Sequence, residues 1–254
     1  MPKKQLIVDI DRDSVRFTRL DGISVEQQFH FEFKDKTDFG YKNQLDLFLA
    51  KTDFRSMDWD EYSLSWFSEK STLLPFSIYN ETNPIKVFEL AYGKGTSDDD
   101  IDFNRIPEFS VTNIYEIPLW VKSFFVMRFP RIIMQHEGSH AIRGLISGAG
   151  SDLNLLLSLH ENHFLILATH NKELKYYNTF EYQTAEDIIY HTAHLIQQNN
   201  WQDVKGNFRF VHSLLSTTEK VAEIKKLFEK LPPFKNFSFQ ESKNLLSQFQ
   251  ILCV

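Results

Sequence analysis

The sequence predicts an α/β protein built twice over, each half a mixed five-stranded sheet with flanking helices. Three observations predict it. The apolar pattern of residues 5–50 recurs from Ser151 to Trp201. In both stretches the turns joining the first three extended segments are too short for a crossover helix, so those strands must pair antiparallel. Beyond the third strand, helical periodicity alternates with short apolar runs, which is how crossover units add parallel strands.

In the first half, Gln5–Asp11 is rich in Leu, Ile and Val, and Val15–Leu20 alternates with period two after a turn at Arg12-Asp13. A second turn, Asp21-Gly22, leads into Val25–Phe33, where Phe29, Phe31 and Phe33 share one strand face. The polar stretch Asp35–Gly40 then caps a helix over Gln44–Ala50, whose Leu45, Phe48 and Leu49 fall on one side. Tyr62–Phe67 reads as a fourth strand, Pro75 as a helix start, Val111–Ile117 as a fifth strand and Leu119–Met127 as a helix opened by Pro118. The stretch Tyr92–Arg105, with Gly93-Lys94-Gly95-Thr96 and three successive aspartates, reads as a solvated mobile loop. Arg131–Gln135 and His140–Ile146 connect the halves, and Gly148-Ala149-Gly150 breaks the pattern, placing a boundary between residues 1–150 and 151–254.

The second half runs in the same order. Leu153–Leu159, Phe164–Thr169 and Leu174–Tyr182 are strands, Ala185–Gln197 a helix, and Phe208–Val211 a fourth strand. Thr217 and Thr218 cap a helix with Val221, Ile224, Leu227, Phe228 and Leu231 on its apolar face; Pro232-Pro233 ends it. Phe234–Phe239 is a fifth strand, and Leu245–Ile251 closes the chain as an element of undetermined type.

Composition narrows the class of function. A chain of 254 residues with 42% hydrophobic residues and 24 Phe can bury substantial cores. A net charge of −6 with scattered Lys and Arg gives no electrostatic footprint for nucleic acid. No apolar run reaches membrane length, and the single cysteine, Cys253, has no internal partner, so the expectation is a cytoplasmic protein without membrane insertion.

The repeated order of strands and helices resembles the ribonuclease-H-like unit, and its tandem duplication is similar to the actin, heat-shock chaperone and sugar-kinase superfamily over nearly the whole chain. The run from Leu174 to Tyr182, with Thr184, Asp187 and Tyr190 after it, Tyr115-Glu116-Ile117-Pro118 and Leu74-Pro75, resembles a family of uncharacterised Bacteroidetes proteins of a pared-down actin-like ATPase kind. Strand-face aromatics beside a helix start explain the same run without a ligand.

The resemblance implies a place to look for nucleotide. ATP-hydrolysing members of that superfamily grip phosphate with two hairpins of the form Asp-x-Gly, Gly letting backbone N–H groups approach and Asp organising hydrated Mg²⁺. Here the first turn reads Asp9-Ile10-Asp11-Arg12-Asp13-Ser14, with Asp11 in place of Gly; the second reads Ser158-Leu159-His160-Glu161-Asn162 and lacks both residues. Gly206 stands alone where a nucleoside-binding Gly pair is implied. The expectation is that Asp9 and Asp11 are solvated residues near a hairpin end, and that no cofactor is bound. The alternative is an ATP-dependent switch that keeps MgATP at Asp9 and Asp11.

Three other strings invite chemistry. Gly93-Lys94-Gly95-Thr96 lacks the spacing of a phosphate loop. His136-Glu137-Gly138-Ser139-His140 matches H-E-x-x-H, which on a continuous helix binds zinc and supplies a general base. Gly138 and Ser139 are poor interior helix residues, Arg131–Met134 reads as a strand, and Glu161 and His163, downstream, fall at the turn of a hairpin rather than as a convincing third ligand, so a zinc hydrolase using His136, Glu137 and His140 is the least favoured reading. His191 and His194 share a helix face without an acidic partner, and Cys253 has no neighbour to lower its pKa, so no catalytic, cofactor or metal residue is assigned. The favoured function is a non-catalytic scaffold or binding module that holds a protein partner or small ligand in an interdomain cleft. Actin-like relatives in pilus assembly and secretion act in this way, so the resemblance admits it.

Overall fold

The computed structural model describes residues 3–54, 59–79, 84–147, 152–212, 217–241 and 245–251. The chain divides into two compact units, Met1–His140 with Leu246–Val254, and Ala141–Leu245.

The first unit begins with β1 (Lys4–Ile10), β2 (Ser14–Asp21) and β3 (Ser24–Glu32), an antiparallel meander, followed by α1 (Asp38–Ala50), β4 (Glu61–Trp66), β5 (Ser71–Pro75) and α2 (Pro84–Tyr92). Next come β6 (Ile101–Ile106), β7 (Val111–Glu116), α3 (Leu119–Arg128), β8 (Ile133–His136) and α4 (Glu137–Ser147), the last of these crossing into the second unit. The main sheet has the order β3-β2-β1-β4-β8, with β1, β4 and β8 parallel. Its two faces differ in kind. Leu6, Val8, Ile10, Val15, Phe17, Leu64 and Trp66 meet α1 and α3 in one apolar core, where Tyr41 stacks on Trp120 at 4.5 Å. The alternate residues Gln5, Asp9, Arg16, Thr18, Ser63 and Ser65 form a polar face that is nevertheless at most 5% exposed.

Three expectations for this unit are corrected. Pro75 ends a strand, and the helix starts at Pro84. β5 lies at the edge of a second, three-stranded sheet ordered β5-β7-β6, so the missing proline N–H costs no ladder bond. Val111–Ile117 is a strand, but it pairs with β5 and β6, and the fifth strand of the main sheet is β8. The stretch Tyr92–Arg105 is not one loop: after a turn of 3₁₀ helix at Asp98–Asp100, Ile101–Ile106 pairs with β7 along its whole length. Its hydrophobic alternation is short and follows three aspartates, which is why it resembles a loop in sequence.

The second unit contains β9 (Leu153–Leu159), β10 (His163–His170), β11 (Glu173–Glu181), α5 (Ala185–Gln198), β12 (Gly206–His212), α6 (Thr217–Lys230) and β13 (Phe237–Glu241). Its sheet, β11-β10-β9-β12-β13, repeats the first in order and direction. Its core is aromatic, with Phe208, Phe210, Phe228, Phe234 and Phe237 in mutual contact. Gly206 opens β12 because a Cβ there would lie 2.6 Å from the Phe237 ring. The side chains of Thr217 and Thr218, and Gly148-Ala149-Gly150, lie outside the described residues. The last helix, α7 (Leu245–Ile251), belongs from Leu246 onward to the first unit.

Both units start the helix after the third strand on a threonine cap: Thr37 accepts from the Gly40 N–H, and Thr184 from the Asp187 N–H. In α5 the cap is reciprocal, since Asp187 accepts from the N–H groups of Gln183 and Thr184 at 3.0 and 2.8 Å. These donors hold the Asp187 carboxyl below its ordinary value of 3.8. A carboxyl lowered by folding stabilises the fold above its unfolded pKa, and that contribution is lost as pH falls through the lowered folded value. Asp187→Ala is therefore expected to lower the thermal midpoint at neutral pH and to flatten its decline below about pH 4. An unchanged midpoint-against-pH curve would count against the cap.

Candidate functional site

The turn between β1 and β2 lies at the C-terminal end of a central parallel strand, where open α/β sheets place ligands. It is closed by its own side chain. The Asp11 N–H donates to the Ser14 carbonyl at 3.0 Å, while Asp11 Oδ1 accepts from the N–H groups of Asp13 and Ser14 at 2.8 and 2.6 Å and from the Ser14 hydroxyl at 3.2 Å. Asp11 is 4% exposed and Asp9 is 5% exposed, which corrects the expectation of solvated residues. Backbone N–H groups at Asp11 and polar side chains at Asp9 supply the hydrogen bonds that water would have supplied.

Asp9 projects onto the polar face of the sheet. Its Oδ2 accepts from Arg16 Nε and Nη2 at 3.0 and 2.7 Å and from the Ser247 hydroxyl at 3.3 Å, and its Oδ1 accepts from Gln250 Nε2. Gln250 accepts in turn from the Ser63 hydroxyl at 2.8 Å. Burial pushes the Asp9 carboxyl up, and the Arg16 guanidinium pulls it back toward the ionised form. The i, i+3 spacing of Ser247 and Gln250 puts both on the face of α7 that covers Asp9.

Beside the turn a cleft of about 480 Å³ opens, lined by Arg12, Lys36, Tyr41, Trp66, Asp99 and Glu116 among others. Its cations are already engaged. Arg12 pairs with Glu116 at 2.9 Å and Glu69 at 3.5 Å, and Lys36 pairs with Asp13 at 2.5 Å. Tyr41 fixes the turn by donating to the Arg12 carbonyl at 2.9 Å, and Trp66 donates to the Glu116 carbonyl at 2.8 Å.

A magnesium nucleotide needs a carboxylate able to face a hydrated metal and N–H groups able to face phosphate. Asp9 has both oxygens hydrogen-bonded within the chain, and the N–H groups of Asp13 and Ser14 point at the Asp11 carboxylate, so this arrangement does not fit that group. In the second unit the equivalent turn is held by the His160 N–H to the His163 carbonyl at 2.9 Å and by the Tyr182 hydroxyl to the His160 carbonyl at 2.8 Å. It offers neither an aspartate nor a glycine.

The zinc-like string is split between two elements: His136 ends β8 and Glu137 begins α4. The Gly138 N–H donates to His136 Nδ1 at 3.0 Å, and Nε2 lies against the Ser68 backbone, 3.2 Å from its N–H and 3.0 Å from its carbonyl. Both ring nitrogens are thus engaged by backbone groups of Ser68 and Gly138. Among the described residues no three His, Cys, Asp or Glu side chains are grouped to hold one. His191 lies flat on Phe180 at 4.0 Å and His194 on Tyr190 at 6.0 Å, so the pair is divided between two aromatic stacks. Cys253 lies outside the described residues.

Sequence reasoning missed Arg16, Ser247 and Gln250. A charged residue at an inward position of β2, opposite Asp9 in the antiparallel register, was the available signal for Arg16; α7 carries none.

The duplicated mixed sheets, with an antiparallel meander continued by parallel strands, define the actin-like ATPase fold. A Bacteroides thetaiotaomicron protein with actin-like ATPase fold and unknown function aligns over 100% of this chain and 97% of its own, with 17% identity and a TM-score of 0.77. A structure of the PilM–PilN type IV pilus biogenesis complex aligns over 98% of this chain and 94% of its own, with 7% identity and a TM-score of 0.57. Identities this low show the fold alone. No curated protein matches the chain. The family model described as protein of unknown function (DUF3822) matches residues 1–231, and the chain belongs to that family.

Proposed function

We propose that this chain is a non-catalytic protein of the actin-like fold, a cytoplasmic binding module that works by holding a protein partner. Asp9 carries the proposal. Its carboxylate, at the position where an actin-fold ATPase organises magnesium, accepts hydrogen bonds from the chain's own Arg16, Ser247 and Gln250. The solved PilM–PilN complex supports a partner-holding use of the fold, by analogy of architecture. The charge of −6 argues against nucleic acid as that partner. No described helix is long and apolar enough to cross a membrane. The cleft beside Arg12 supplies a concave, polar seat of a size that ligands use.

Calorimetric titration of the full chain with MgATP tests this reading. The expected result is no heat of binding at high nucleotide concentration. Saturable binding in the micromolar range, abolished by Asp9→Ala, would replace the binding module with an ATP-dependent switch at Asp9 and Asp11.

A further inference from the structure

The cleft beside Arg12 carries an unbalanced charge. Asp38, Asp99, Asp100 and Glu116 line it against two cations, Arg12 and Lys36. The chain's own acids hold both cations, Arg12 through Glu116 and Glu69 and Lys36 through Asp13. Glu116 also has Lys70 at 3.4 Å, and Asp100 caps α3 by accepting from the Leu119 N–H at 2.6 Å. Lys122 reaches the backbone carbonyl of Asp99. That leaves Asp38 and Asp99, both exposed, whose carboxylates have no cation partner among the described residues.

The same cleft holds a donor without an acceptor. Trp120, 4% exposed, lines it and stacks on Tyr41. The indole N–H groups of Trp59 and Trp66 donate to the Phe54 and Glu116 carbonyls, whereas that of Trp120 has no acceptor among the described residues. A buried indole N–H ordinarily has a partner, so this one points to a ligand that brings an acceptor. Apolar surface completes the set: Leu119, in the lining, is 52% exposed, and Phe39, next to Asp38 on α1, is 77% exposed.

We propose that this cleft seats a basic peptide segment of the protein partner, a Lys or Arg beside an apolar residue. A backbone carbonyl of the segment accepts from the Trp120 N–H, the basic side chain meets Asp38 and Asp99, and the apolar side chain covers Leu119. The inference rests on the binding-module reading and names the chemistry of what is held. Charge decides between ligand classes. A phosphate-bearing ligand would set its charge against Asp38 and Asp99, while a metal ion or a polyamine brings no acceptor for the indole N–H. A peptide supplies all three kinds of contact at once.

The test uses the full chain labelled with ¹⁵N-tryptophan, in which Trp59, Trp66, Trp120 and Trp201 each give one indole signal. It is titrated with an end-blocked peptide of alternating Arg and Leu, with the matching Glu and Leu peptide as control. The expected result is a saturable shift of the Trp120 signal with the Arg peptide and none with the Glu peptide. The Asp38→Asn, Asp99→Asn double variant changes two exposed side chains, so the fold is retained; calorimetry should show binding about fivefold weaker and less dependent on salt. Trp120→Phe keeps a ring against Tyr41, removes the donor and weakens binding as well.

An unmoved Trp120 signal, equal binding of the Glu peptide, or a double variant that binds as tightly as the wild type would overturn the proposal. So would spermine moving the Trp120 signal as far as the Arg peptide does, which would make the cleft a site for small cations. MgATP binding by the wild type defeats the binding-module reading. A chain silent to both MgATP and the Arg peptide loses this proposal alone, so the two failures are distinguishable.

Discussion

Asp9→Ala lowers the stability of the first unit by about 3–5 kcal/mol, the usual effect of removing one partner of a buried ion pair. Two costs add. The Arg16 guanidinium, 5% exposed, loses the carboxylate that offsets its burial, and Ser247 and Gln250 lose their acceptor. The second loss has a local readout, because α7 is tied to the sheet through Asp9 and Ser63. Hydrogen exchange in α7 therefore rises more than in β1 or β4. Adding Arg16→Met to Asp9→Ala recovers part of the loss, since it removes the buried guanidinium that has lost this carboxylate. Denaturant unfolding of the two single variants and the double variant measures the coupling. Additive losses would mean that the pair does not act as a unit. Burial, with the Glu137 charge adding to it, raises the Asp9 carboxyl against the lowering by Arg16 and Ser247, and a raised carboxyl contributes stability that is lost as pH rises through its folded pKa. The contribution of Asp9 therefore comes from its partners. Asp9 is here a fastening for α7.

The fold was legible where local rules decide. Short turns forced β1–β3 and β9–β11 to pair antiparallel, and Thr37 and Thr184 marked the same helix start in each unit. It was less legible where pairing is decided at long range. Nothing near Val111–Glu116 indicates that it joins β5 and β6 rather than β4, because a strand's partner depends on which edge is open when the chain arrives. The four-residue strand β8 replaces it in the main sheet and is too short to show periodicity. At the candidate site, the motif residues were visible and their surroundings were not. The aspartates suggested solvent because an isolated charge avoids burial. Arg16, in register with Asp9, reverses that expectation, and Gln250 arrives from the far end of the chain. A buried polar face on a sheet reads in sequence like an exposed one. Gln5, Asp9, Arg16, Thr18, Ser63 and Ser65 alternate with apolar residues as solvated residues would.

His136→Ala is the second large effect, a loss of about 3 kcal/mol with no change in metal content. The imidazole is fully buried, packs against Tyr115 with ring centres 5.1 Å apart, and joins the backbones of Ser68 and Gly138. Truncation leaves the Gly138 N–H without its acceptor, at about 1–3 kcal/mol, and leaves a void among aromatic rings that adds a cavity cost. A zinc ligand would give a different pattern. The wild type would then carry one zinc per chain, a chelator would lower its thermal midpoint, and every substitution at position 136 would release the metal. The expected pattern is that chelator has no effect and that His136→Asn recovers part of the stability, because its side-chain oxygen reaches the Gly138 N–H as Nδ1 does while offering zinc a poor ligand. Metal analysis together with the thermal midpoints of the wild type and both variants separates the two. Stoichiometric zinc in the wild type, lost equally in the Ala and Asn variants, would restore the hydrolase reading. Partial rescue by Asn without zinc makes His136 the clasp between the end of β8 and the start of α4, and the H-E-x-x-H string a coincidence of spelling across a strand–helix junction.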